Sequence, residues 1–91
     1  MSDAAEPNLT SVNFSSFVIS LASSALVHLG DAPDPATGER AADLPLARHS
    51  IDLLGMMEEK TRGNLDDEEA KLLASVLDEL RGKFVEAARR G

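Results

Sequence analysis

The sequence predicts an all-α fold: three helices in an antiparallel arrangement, with a central apolar first helix whose burial a second copy of the chain completes. Three observations predict it. The stretch Asn13 to Leu29, NFSSFVISLASSALVHL, has no formally charged side chain, and between Glu6 and Asp31 only His28 titrates. Two later stretches, about 44–62 and 66–89, repeat apolar residues at intervals of three and four, the period of one helix face. No segment shows the alternation of a β-strand, an internal repeat or low complexity.

Ninety-one residues suit one small domain, with a hydrophobic core near the lower limit of useful size. Residues 1–11 read as a flexible N-terminal arm and 12–91 as a single helical domain. Apolar residues make up 43% of the chain, enough to drive folding rather than disorder.

Helix one is expected over about 13–29. Asn13 is a good N-cap because its side-chain oxygen can accept an orphan backbone N–H; Thr10 or Ser11 could serve a turn earlier. Gly30 can take the left-handed conformation that stops a helix. Phe14, Phe17, Leu21, Ala25 and His28 follow one face, and Val18, Ala22, Leu26 and Leu29 its neighbour. Together they make an apolar surface wider than an ordinary amphipathic stripe. Ser16, Ser20, Ser23 and Ser24 gather on a third side. Exposed helix faces usually carry Glu, Lys or Arg, so the serines read as a side that another helix approaches closely, with solvent exposure as the alternative.

Residues 30–43, GDAPDPATGERAAD, form the longest gap. Pro33 and Pro35 remove amide donors and bias Ala32 and Asp34 away from helix. A loop of that length is either a crossover between antiparallel helices or a functional or flexible segment.

Helix two is expected over about 44–62, capped by Asp43, with Pro45 in the first turn where its missing N–H is harmless. Leu44, Ala47, Ile51, Leu54 and Met57 or Glu58 form its seam, with Leu46 and Leu53 beside it; Met56 and Met57 read as core filler. Gly55 in the interior costs up to about 1 kcal/mol relative to Ala, which a close crossing with another helix would offset.

Helix three is expected over about 66–89. Asp66 and Glu69 have capping-box spacing. Acids at its start and Arg81, Lys83, Arg89 and Arg90 toward its end complement the helix dipole. Its seam is Leu73, Val76 or Leu77, Leu80, Phe84 and Ala87 or Ala88. At about 36 Å it exceeds the other helices, so its last turns are expected to fray or to meet another subunit.

The chemistry is sparse. With no Cys there is no disulfide, thiolate nucleophile or Cys zinc site. The six glycines are scattered, and no Lys-Ser or Lys-Thr directly follows Gly38, so there is no P-loop. The acids of 66–69 lack EF-hand spacing and read as a helix start. Ser15, Ser16, Ser20, Ser23 and Ser24 have no nucleophile elbow. His28 and His49, with Asp31 and Asp52, form the one alternative site, for a metal or small ligand, if antiparallel packing brings the histidines together.

Net charge is −7. Such a surface repels phosphate, which argues against nucleic acid and anionic membrane surfaces and toward a basic protein partner. No basic segment resembling a signal peptide precedes the apolar run. Serines interrupt that run and acids flank it, so a membrane span is not expected; peripheral membrane association through helix one is an alternative.

The runs NFSSFVISLASSALVHLGDAPDP, LPLARHSIDLLGMMEEKTRGNL and EEAKLL resemble a bacterial family of small proteins with no assigned activity, the domain of unknown function 1844. The resemblance covers about Val12 to Arg81, with Met57 at a position where Leu is expected. It implies a bacterial, cytosolic helical protein and carries over no catalytic residue and no cofactor.

The functional expectation is a non-enzymatic helical interaction or scaffold module. It is expected to be cytoplasmic, to form a homodimer and to bind a protein partner yet to be identified. The candidate interaction residues are Phe14, Phe17, Val18, Leu21, Ala25 and Phe84, with the serine side of helix one as the alternative dimer surface.

Overall fold

The structure, a computed structural model, describes residues 13–90; the arm expected over 1–11 lies outside them. Among the described residues there are three helices: α1 (Phe14–Leu29), α2 (Leu44–Lys60) and α3 (Asp67–Arg90). Each packs against the other two, and no strand occurs among the described residues. The Asp43 N–H donates to the His28 carbonyl at 2.7 Å, so α2 starts where α1 ends and runs back along it. Lys83, late in α3, reaches Asp31 just beyond α1. Alpha-three therefore runs in the direction of α1, and α2 is antiparallel to both.

Local chemistry sets the helix ends. Asn13 caps α1: its Oδ1 accepts from the Ser16 N–H at 2.8 Å, and the Ser16 hydroxyl oxygen accepts from the Asn13 N–H at 3.4 Å. At the other end Gly30 has φ +82. Its N–H bonds to the Val27 carbonyl and the Asp31 N–H to the Leu26 carbonyl, both at 3.0 Å, the paired bonds of a Schellman motif. The Asp43 carboxylate accepts from the Leu46 N–H at 3.2 Å. Asp66 and Glu69 form the expected box, with reciprocal backbone-to-carboxylate bonds of 2.8 and 3.0 Å. Alpha-two ends two residues before the expected Arg62. The Thr61 hydroxyl bonds back to the Met57 carbonyl at 2.7 Å, and Gly63 at φ +90 turns the chain toward α3.

The core takes Val18, Ala25 and Leu29 from α1, Ala47, Ile51 and Leu54 from α2, and Leu73, Leu77, Leu80 and Ala87 from α3. The two ambiguous α3 positions resolve to Leu77 and Ala87, while Ala88 is exposed. The expectation that the last turns of α3 lack a partner within the chain is corrected by Ala87, which is buried in the core, and by Lys83, which is tied to Asp31. Leu46 and Met56, expected on or beside the core, are instead exposed. Once Ala47, Ile51 and Leu54 define the buried side of α2, those two positions point away from it.

Helix one is not hidden around most of its circumference by the chain itself. Of its two apolar faces the core takes the Val18–Leu29 side. Phe14 and Leu21 sit half-buried at the core's edge, and Phe17 is exposed. Ser20, Ser23 and Ser24 are exposed too, so no helix of this chain makes the close approach expected there.

The 30–43 segment is ordered by its own bonds around Asp34. The Asp34 carbonyl accepts from the Gly38 N–H at 2.7 Å and the Thr37 N–H at 3.2 Å, and the Asp34 N–H donates to the Glu39 carbonyl at 2.8 Å. The Asp34 carboxylate accepts from the Ala36 N–H at 2.8 Å. This is a compact surface loop closed at both ends, not a slack linker.

Candidate functional site

Two surfaces combine exposed apolar groups with a defined shape, and each holds one of the expected interaction residues. The first is the outer side of α1. Phe17 and Ile19 are each 52% exposed, and helical geometry sets them on opposite flanks of the strip formed by Ser20, Ser23 and Ser24. The helix carries no Asp, Glu, Lys or Arg, so this strip is uncharged along its length. Its N-terminal end borders Asp66, Glu68 and Glu69 at the start of α3, across a shallow depression shared with Ser15, Ser16 and Ile19. Its C-terminal end borders the 30–43 loop, where Ser23, Ser24, Val27 and His28 face Asp34 and Pro35.

The second surface is a groove between α2 and α3, lined by Arg48, Ile51, Asp52, Arg81, Phe84 and Val85. Its apolar side is the half-buried Phe84 and the exposed Val85. Arg48 and Asp52 pair across one helical turn at 3.7 Å, with both side chains mostly exposed, so the pair contributes little to stability. Arg81 continues the groove toward Gly55, Met56 and Arg62.

The other expected interaction residues are placed differently. Val18 and Ala25 are fully buried in the chain's own core, and Phe14 and Leu21 pack against it. An interface built on Val18 or Ala25 would have to open that core. Phe17 is the α1 residue of the expected set that remains on the surface. Ile19 was missed although it stands three residues before Ala22 and seven before Leu26, at the outer edge of the second apolar face.

The alternative site around the histidines does not come together. His28 is half-buried beside Ser24 and Asp34, whereas His49 is exposed on α2. Asp52 pairs with Arg48 rather than with His49, and Asp31 pairs with Lys83 at 3.0 Å. Among the described residues no group of three or more His, Asp or Glu side chains is arranged to hold a metal ion. The Lys83 ammonium is held above the usual lysine range, chiefly by its hydrogen bond to Asp31 and then by the charge of that carboxylate. Among the described residues no helix is long and apolar enough to cross a membrane.

No curated protein and no solved structure matches the chain. The family model for the domain of unknown function DUF1844 matches residues 11–86. That span holds nearly all of the three helices, both surfaces and the loop between α1 and α2, and the chain belongs to the DUF1844 family.

Proposed function

We propose that the chain is a non-enzymatic helical module that self-associates as a dimer and presents its remaining helical surface to a protein partner. The observation that carries this reading is the pair Phe17 and Ile19, each 52% exposed on a helix without a formally charged residue. Elsewhere the surface is strongly charged, since the chain carries 16 acidic and nine basic residues. An apolar-flanked, uncharged strip on such a surface is the composition expected at the core of a protein–protein interface. The partner reading rests on the α2–α3 groove, where Phe84 and Val85 stand beside Arg48 and Arg81. Nucleic acid and anionic membranes are disfavoured partners, because a net charge of −7 repels phosphate. A bacterial cytosolic setting belongs to the same proposal and rests on the family resemblance.

Sedimentation velocity across the micromolar range tests the self-association. A concentration-dependent shift from monomer to dimer is expected, and a monomer at every concentration overturns it. The competing ligand or metal reading around His28 and His49 is tested by metal analysis of the purified protein and of the His28→Ala/His49→Ala variant. A stoichiometric metal present in the parent and lost in the variant would replace the interaction reading with that one.

A further inference from the structure

Resting on the self-association reading, we infer that the outer face of α1 docks against the same face of a second copy, with the two α1 helices crossing antiparallel about a two-fold axis near Ser20 and Ser23. A symmetric dimer requires a surface that complements itself. On a protein of net charge −7 most faces would set like charges against each other. The α1 face does not, because no residue from Phe14 to Leu29 has a formal charge. An uncharged face also offers nothing specific to the basic partner that the acidic remainder of the surface would attract, so charge favours a second copy as its occupant.

The surrounding charges decide the orientation. Phe17 and Ile19 stand proud on the two flanks, and between them Ser20, Ser23 and Ser24 are exposed and small. An antiparallel crossing with its axis between Ser20 and Ser23 keeps each flank of one copy beside the same flank of the other, so the two Ile19 side chains lie offset along one side of the seam and the two Phe17 side chains along the other. Ser20 then meets Ser23 of the partner subunit, where small side chains let the backbones approach closely. Asp66, Glu68 and Glu69 border the N-terminal end of the face. A parallel crossing would bring the two acidic groups together. The antiparallel one separates them by a helix about 24 Å long, well beyond a Debye length at physiological salt, and sets each against the other end of the face, where Asp34 borders the strip in place of the three acids. A single helix crossing with these flanks lies at the small end of specific interfaces, so the dimer is expected to dissociate in the micromolar range.

The test is sedimentation velocity on the parent chain and on two exposed-site variants, Ser20→Glu in the proposed seam and Val85→Glu in the α2–α3 groove, each checked for unchanged helicity by circular dichroism. Ser20→Glu is expected to weaken dimerisation by roughly tenfold or more, because it buries two like charges beside the axis, while Val85→Glu leaves the dimer intact. A cross-link adds the geometry: because the chain has no cysteine, a mixture of Ser20→Cys and Ser23→Cys chains is expected to form a mixed disulfide on oxidation. A parent dimer that Ser20→Glu does not weaken overturns this interface and leaves self-association standing. A dimer lost in Ser20→Glu that forms no mixed disulfide overturns the antiparallel register. A parent chain that stays monomeric overturns both the interface and the self-association reading, and leaves the face to a different protein.

Discussion

The Arg81 guanidinium lies across Gly55: a Cβ built on that glycine would meet Nη2 of Arg81 at 3.3 Å. The mid-helix glycine therefore accommodates a long side chain from α3 and not the close helix crossing that its position in the sequence predicts. Arg81 is exposed, and Nη2 is the far end of a flexible chain, so it can move aside. Gly55→Ala is accordingly expected to stabilise the fold by up to about 1 kcal/mol, the helix-propensity difference between the two residues. Urea unfolding followed by circular dichroism measures it. A loss of stability that Arg81→Ala reverses would show that the guanidinium cannot yield.

The opposite sign is expected at Gly30. Its φ is +82, and a Cβ there would lie 3.3 Å from the backbone nitrogen of Ala42. Neither the left-handed conformation nor the Ala42 backbone can adjust cheaply, because the Schellman bonds and the Asp43 to His28 bond hold both sides of the contact. Gly30→Ala is expected to cost about 1–3 kcal/mol. Urea unfolding reads the loss directly, and an unchanged midpoint would mean that the α1–α2 junction relaxes freely.

Leu54 is fully buried at the middle of α2 and belongs to the core that all three helices share. Leu54→Ala is expected to destabilise by about 2–5 kcal/mol through lost transfer energy and the cavity left behind. In a chain of this size that is a large part of the total stability. Calorimetry is expected to find a much lower or vanished thermal transition; a small shift would mean that the core repacks around the gap.

The Asp31–Lys83 pair ties the end of α1 to α3. Because folding raises the pKa of Lys83, the contribution of the pair is fully present below the unfolded lysine value of about 10.4. It is lost as pH rises through the higher folded value. Lys83→Met is therefore expected to have a lower melting temperature than the parent near neutral pH, with the gap closing in strong alkali. High salt is expected to shrink the same gap, since both side chains are about one-third exposed. A gap that stays constant across the alkaline range would assign the effect to packing of the lysine stem instead.

The sequence by itself determined the number and order of the helices and most of their caps. Asn13, Gly30, Asp43 and the Asp66–Glu69 box act on backbone groups within four residues, so their effect is local and readable without a partner. The α3 seam was legible for the same reason: its charged positions leave one apolar side free to face inward. Alpha-one was not legible in this way, because a helix with apolar residues on two faces and serines on the third does not state which side the chain will cover. Tertiary packing made that choice. Alpha-two and α3 are wide enough to cover only the Val18, Ala25 and Leu29 side, which leaves Phe17, Ile19 and the serines outside. Packing also separated His28 from His49, paired Asp31 with Lys83 and laid Arg81 over Gly55. Those relationships join residues far apart in the chain, and local spacing carries no information about them.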